Sequence, residues 1–92
     1  MSDAGIGAAG ARRKRLLFRC HHTGMKENDL LIGSFADRHL AELSDDDVAW
    51  LEDLLATNDD IDLYNWITGR QPYPPTLDHP VMRRLAAFRF PV

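Results

Sequence analysis

Three consecutive residues, Cys20, His21 and His22, carry side chains that elsewhere bind zinc or act in nucleophilic catalysis. Three adjacent residues do not easily converge on one ion, and His39 and His79 are isolated in the sequence. A Cys–His nucleophile would also need an orienting group and an oxyanion site within a pocket. The sequence therefore favours a small, buried Cys20 beside partly exposed histidines, and it predicts neither a metal site nor an enzyme.

The segment from His22 to Leu31 places a glycine and several charged residues at the start of an apolar helix. Glycine is costly near a helix start unless the backbone requires it or another molecule must come close. The helix dipole alone explains a carboxylate such as Glu27 in the first turn, but it does not explain Gly24. We therefore predict an exposed patch that binds a partner. From these residues alone the patch contains His22, Gly24, Lys26, Glu27, Asn28 and Asp29.

Length and composition limit the classes of protein. The 92 residues suit one small domain, and the formal net charge is only -3. A single cysteine excludes an internal disulfide and favours a reducing compartment. The longest apolar stretch, at 30–36, is much shorter than the ~20 residues that span a bilayer, and no signal peptide is recognisable. We expect a cytoplasmic protein that does not insert into a membrane.

The basic run from Arg12 to Arg15 leaves three interpretations open: a solvated helix start, a patch that docks on a protein, or contact with nucleic acid. Positive charge at a helix N-terminus opposes the helix dipole, which favours a binding role for the run. The acidic residues in the middle of the chain argue against a protein that coats polyanions.

Apolar residues recur at three- and four-residue steps along most of the chain, which is typical of amphipathic helices. No segment shows the alternation of a strand, so the sequence predicts an all-α fold, a single small five-helix bundle. Residues 1–11 are predicted to form a disordered tail and residues 12–92 the helical domain. The predicted helices run from Arg12 to His21, from Met25 to Leu40, from the Ser44 cap to Thr57, from Asp59–Asp60 to Gly69, and from Asp78–His79 to Pro91, with a non-helical connector at 71–78.

With these elements placed, the chain resembles the SdhE-type FAD assembly factors of succinate dehydrogenase, a family of small five-helix proteins. The resemblance covers about Arg13 to Phe88 and depends on the order and spacing of several short motifs. These motifs are Gly24-Met25-Lys26-Glu27, Asp29-Leu30-Leu31, Phe35-Ala36, Leu43-Ser44-Asp45-Asp46 and Asp62-Leu63-Tyr64-Asn65-Trp66-Ile67-Thr68-Gly69.

The family signature is Arg-Gly-x-x-Glu, and the resemblance implies that this patch faces the flavoprotein subunit. Gly24 and Glu27 match the signature, whereas Thr23 stands at the arginine position. Either His22, Lys26 or Arg19 supplies the charge of that arginine, or Thr23 caps the second helix and the patch binds with less charge. Taken together, the residues and the resemblance predict that the partner-binding residues are Arg19, His22, Thr23, Gly24, Met25, Lys26, Glu27 and Asp29.

The resemblance also implies a function. It indicates a non-catalytic assembly factor that binds the succinate dehydrogenase flavoprotein, with the fumarate reductase flavoprotein as a further candidate, and promotes covalent attachment of FAD. The FAD would be held by the partner, so no cofactor is expected on this chain, which we expect to be a monomer without nucleic acid. The location would be the bacterial cytoplasm, or the mitochondrial matrix in a eukaryote. The alternative is a small helical nucleic-acid-associated or antitoxin-like regulator.

Overall fold

Five α-helices and two 3-10 turns make up the described part of the chain. The computed structural model describes residues 4–88, and the side chains from Gly10 onward. The helices are α1 (Ala4–His21), α2 (Lys26–His39), α3 (Asp45–Thr57), α4 (Asp60–Ile67) and α5 (Pro80–Ala87), with 3-10 turns at Leu40–Glu42 and Pro75–Leu77. No strand occurs between residues 4 and 88, and the all-α prediction is confirmed.

All five helices contribute to one hydrophobic core. Members that are at most 1% exposed, one from each helix in order, are Leu16, Phe35, Leu51, Leu63 and Leu85. The helical periodicity in the sequence predicted these faces, because a helix buries the residues that recur every three or four positions. No helix in the described range is long and apolar enough to cross a membrane.

Helix α1 begins at Ala4, so the predicted start near Arg12 is wrong. Alanine has the highest helix propensity, and the alanines at positions 4, 8, 9 and 11 offset the glycines at positions 5, 7 and 10. The basic run therefore lies inside a helix, and the argument from an unfavourable helix dipole does not apply to it. The domain boundary at residue 12 stays a prediction. At the other end α5 stops at Ala87, and the predicted stop at Pro91 lies outside the described residues.

Two members of the basic run hold α1 against the rest of the bundle. Arg12 donates two hydrogen bonds, of 2.7 and 3.1 Å, to the carboxylate of Glu52 on α3. Arg13 donates to the backbone carbonyls of Leu40 (2.7 Å) and Leu43 (2.9 Å), which lie in and just after the 3-10 turn that follows α2. Arg12 and Arg13 therefore stabilise the bundle itself, whereas Lys14 and Arg15 are exposed.

Side-chain caps begin the three helices that follow α2. The sequence predicted the cap at Ser44, and the structure adds those at Asp59 and His79. The Ser44 hydroxyl accepts from the amide of Asp47 at 3.1 Å, and the Asp59 carboxylate caps α4 in the same way. His79 Nδ1 accepts from the amide of Val81 at 3.0 Å and caps α5. The connector before α5 contains the 3-10 turn at Pro75–Leu77, which corrects the prediction of a wholly non-helical segment.

The aromatic residues of α3 and α4 differ in burial. Trp66 is buried, whereas Trp50 and Tyr64 are only half-buried. The Trp50 ring lies flat against His79, with 4.3 Å between the ring centroids. Both half-buried rings thus lie at the edge of the core.

Candidate docking site

The turn between α1 and α2 and the first turn of α2, residues 22–29, form a corner at the surface of the bundle. His22, Gly24, Lys26 and Glu27 are exposed in this corner. Thr23, Met25 and Asp29 are half-buried, and Asn28 is buried. Another molecule can therefore reach most of the residues that the sequence assigned to partner binding.

Thr23 and Asp29 hold the corner in shape. One carboxylate oxygen of Asp29 accepts from the backbone N–H of Thr23 at 2.6 Å and from its hydroxyl at 2.8 Å. Both hydrogen bonds lower the pKa of Asp29, and the bond from the backbone N–H is the larger cause. Met25 is the N-cap of α2 and makes no side-chain cap bond, so the idea that Thr23 caps the helix is wrong.

Gly24 has a conformational reason to be glycine. Its φ is +108°, in the left-handed region that residues with a Cβ rarely adopt. A Cβ atom at this position would also lie only 3.2 Å from Oδ2 of Asp60, at the start of α4. The approach of a partner is therefore not needed to explain this glycine, although the residue remains exposed in the corner.

A hydrogen bond from Asn28 links the corner to α4. The sequence placed Asn28 in the exposed patch, but it is fully buried, and this assignment is wrong. Its side-chain Nδ2 donates to the backbone carbonyl of Asp60 at 2.8 Å, while no residue in the described range donates to its Oδ1. A buried amide with one such bond positions the first turn of α2 and does not bind a partner directly.

A small hollow of about 80 Å³ lies beside the corner and is lined by Arg19, His22, Thr23, Leu55 and Asp60. The structure thus brings Arg19 next to Thr23, the position of the family arginine. Nothing in the described range hydrogen-bonds or pairs with the exposed Arg19 side chain. A cation without a hydrogen bond or ion pair in the described range therefore lines the same hollow as Thr23.

Three large hydrophobic side chains are exposed among the residues described, and all three adjoin the corner. Phe18, Leu30 and Ile61 are 62%, 50% and 65% exposed. The Phe18 ring stacks on His22 with 3.9 Å between centroids, Leu30 follows Asp29, and Ile61 follows Asp60. Sequence reasoning missed them. A signal existed for Leu30, which falls outside the apolar stripe of its own helix.

Cys20 is buried in the core, as predicted, and burial raises the pKa of its thiol to about 12. The sulfur therefore stays protonated at neutral pH and is a poor nucleophile. His21 is bonded through Nε2 to Asp37 at 2.9 Å, and no hydrogen bond joins it to the thiol within the described residues. Within residues 10–88 no group of three or more His, Cys, Asp or Glu side chains is arranged to hold a metal ion.

The family described as "Flavinator of succinate dehydrogenase" matches residues 14–89 of this chain. Succinate dehydrogenase assembly factor 2, mitochondrial, of Drosophila grimshawi is 38% identical over 77 residues, which are 83% of this chain and 52% of that protein. Assembly factor 2-B of Drosophila persimilis is 39% identical over 75 residues, 80% of this chain and 48% of that protein.

The corresponding 2-B protein of Drosophila melanogaster is 36% identical over 75 residues. This chain spans about half the length of these curated relatives. No solved structure matches it. The family match covers most of the chain and agrees with the motifs from residue 24 to residue 69. The chain therefore belongs to the family of flavinators of succinate dehydrogenase.

Proposed function

We propose that this chain is a non-catalytic assembly factor that docks on the flavoprotein subunit of succinate dehydrogenase and promotes covalent attachment of FAD to it. The flavoprotein of fumarate reductase is a second candidate client. The observation that carries the proposal is an exposed corner, ringed by exposed hydrophobic side chains, in a chain of this family. The site of action would be wherever that subunit folds, the bacterial cytoplasm or the mitochondrial matrix.

Glu27 is the residue we expect to bind the partner most strongly. Its carboxylate is exposed, and nothing in the described part of the chain hydrogen-bonds to it or pairs with it. Charge-assisted hydrogen bonds are about twice as strong as neutral ones, and they gain strength when a docked surface excludes water. A cation or amide of the flavoprotein would fit this free carboxylate.

The corner suits protein docking better than flavin binding. Its hollow of about 80 Å³ is well below the ~300–1,000 Å³ of typical small-molecule sites. We therefore place FAD on the partner, where the flavoprotein and the flavin carry out the bond-forming chemistry. The factor contributes by binding more tightly to the conformer in which the reacting groups meet, since a ligand shifts an equilibrium only by its differential affinity.

Arg19 is our candidate for the cation that the family signature carries at the position of Thr23. It lines the same hollow as Thr23 and has no partner in the described range. The nucleic-acid alternative receives less support, because Arg12 and Arg13 of the basic run are bonded within the bundle.

The test compares Glu27→Ala with Asp53→Ala in cells that lack their native factor. Asp53 is an exposed carboxylate on α3 with no side-chain bond in the described range, so it is a matched control. We expect Glu27→Ala to reduce covalent flavin on the flavoprotein severely, and Asp53→Ala to leave it unchanged. Flavin fluorescence of the denatured subunit measures the loading, and circular dichroism checks the helical content. Full loading with a folded Glu27→Ala variant would refute the assignment.

A further inference from the structure

A second surface feature lies beside the corner, in a groove between α2 and α4. Its lining residues are Glu27, Leu30, Leu31, Tyr64 and Thr68, and its volume is about 260 Å³. One water molecule occupies ~30 Å³ in the liquid, so this space admits a whole side chain. Glu27 belongs to both the corner and this α2–α4 groove, which makes the two features continuous.

The walls of the α2–α4 groove are mainly apolar. Leu30 is half exposed there, Leu31 packs against the core, and the half-buried Tyr64 contributes its ring. The Thr68 hydroxyl donates to the carbonyl of Tyr64 at 2.6 Å, so its polar group is already satisfied. Burial of such apolar surface is favourable, and the groove would gain from an aliphatic occupant.

Ile61 lengthens this apolar surface along α4. It lies three residues before Tyr64, and residues at that spacing are neighbours on one helix face. Its side chain is 65% exposed. Single exposed hydrophobic residues are ordinary in proteins, but a contiguous strip beside a free carboxylate is typical of an interaction site.

Opposite charges flank the groove. Glu27 lies at the rim shared with the corner, and it has no partner in the described range. At the other side, where α4 ends, the Arg70 guanidinium lies over the Tyr64 ring, 5.4 Å from its centroid. Along its length the groove thus offers the acceptor Glu27, then an apolar floor, and then the cation Arg70.

From this arrangement we propose that the α2–α4 groove binds one segment of the flavoprotein, with an aliphatic side chain between a basic and an acidic residue. The aliphatic side chain fills the space between Leu30 and Tyr64. The basic residue pairs with Glu27, and the acidic residue pairs with Arg70. This inference rests on the proposed function, since it names the part of the same partner that reaches beyond the corner.

The test measures binding of the purified full chain to the purified flavoprotein subunit by titration calorimetry. Leu30→Asp places a carboxylate in the groove at a half-exposed position, so the fold should persist. Ala49→Asp adds the same charge at an exposed position on α3 and is the control. We expect Leu30→Asp to raise Kd at least tenfold, Arg70→Glu to raise it severalfold, and Ala49→Asp to leave it unchanged. Circular dichroism and thermal unfolding of each variant confirm that it is folded.

The outcomes separate the groove from the proposed function. If the wild-type chain does not bind the flavoprotein, both proposals are overturned. If it binds, and Glu27→Ala weakens binding while folded Leu30→Asp and Ile61→Asp bind normally, only the groove is overturned. If Leu30→Asp instead converts a dimer of the chain into a monomer in size-exclusion chromatography, the occupant is a second copy and the flavoprotein segment is excluded.

Discussion

The side-chain amide of Asn28 donates a 2.8 Å hydrogen bond to the backbone carbonyl of Asp60, a residue 32 positions later in the chain. The carboxylate of Asp60 also lies where a Cβ atom at Gly24 would approach to 3.2 Å. The start of α4 therefore fixes both the turn before α2 and its first helical turn. The shape of the corner depends on tertiary packing as well as on its own sequence.

Replacing Asn28 by alanine should lower the free energy of unfolding by about 1–3 kcal/mol, the usual cost of losing a buried hydrogen bond. The hydrogen bond from Nδ2 is lost, and the carbonyl of Asp60 loses this side-chain donor. Urea denaturation followed by circular dichroism measures the change. Glu27→Ala, one residue earlier but exposed, should stay within about 0.5 kcal/mol of the wild type. Equal stabilities for the two variants would contradict this account of the corner.

Most of the fold could be predicted because its signals are local. A stripe of apolar residues and a capping serine act within a few residues, and the cap at Ser44 was found where expected. The start of α1 was missed because alanine and glycine have opposing propensities there, and their balance is not visible as periodicity.

Helices α1 and α2 pack closely at Gly33, against the ring of His21. A Cβ atom at Gly33 would lie 2.5 Å from Nδ1 of that ring. The ring cannot move freely, because its Nε2 is bonded to Asp37 at 2.9 Å. Gly33→Ala should therefore destabilise the bundle by about 1–3 kcal/mol, the usual cost of overpacking, although alanine favours a helix.

Gly10→Ala is the control for this prediction. Gly10 also lies in a helix, but beyond its chain neighbours and the adjacent helix backbone no atom of the described residues comes within 4 Å of a Cβ built there. This substitution should stabilise the protein by about 0.5–1 kcal/mol through helix propensity. Thermal and urea unfolding of both variants should thus show changes of opposite sign, and a stabilising Gly33→Ala would disprove close packing of the His21 ring.

The hydrogen bonds from Thr23 to Asp29 predict a dependence of stability on pH. Because the pKa of Asp29 is lowered in the folded protein, its contribution is fully present above the ordinary value of 3.8. The contribution is lost as the pH falls through the lower, folded-state pKa. Titration of the Asp29 carboxyl carbon by NMR should give a midpoint below 3.8.

Thr23→Val tests the origin of this shift. It removes the hydroxyl donor but keeps the backbone N–H, the larger cause, so the pKa of Asp29 should rise only part of the way to its ordinary value. The pH range over which stability falls, between the folded-state pKa of Asp29 and its ordinary value, should then be narrower than in the wild type. An unchanged Asp29 midpoint in Thr23→Val would show that the hydroxyl bond contributes nothing.

The site was less predictable than the fold, because burial in it depends on residues far along the chain. Gly24 and Glu27 were recognisable from their types and spacing. The burial of Asn28 depends on Asp60, which no local pattern in the corner reveals. The exposure of Ile61 likewise depends on how α4 packs, since an isoleucine beside a core stripe is ordinarily expected inside.

The placement of Arg19 beside Thr23 predicts that an arginine at position 23 restores the binding lost when Arg19 is removed. Arg19→Ala should weaken binding to the flavoprotein severalfold, because it removes the free cation from the hollow. Adding Thr23→Arg to that variant should restore the affinity, since the backbone N–H of residue 23 still bonds Asp29 and the corner keeps its shape.

Arg38→Ala is the control, because it removes an exposed arginine near the far end of α2 and should leave binding unchanged. Titration calorimetry at two salt concentrations measures all three, and the salt dependence should fall with Arg19→Ala and return with Thr23→Arg. Normal binding by Arg19→Ala would show that the corner docks without this cation.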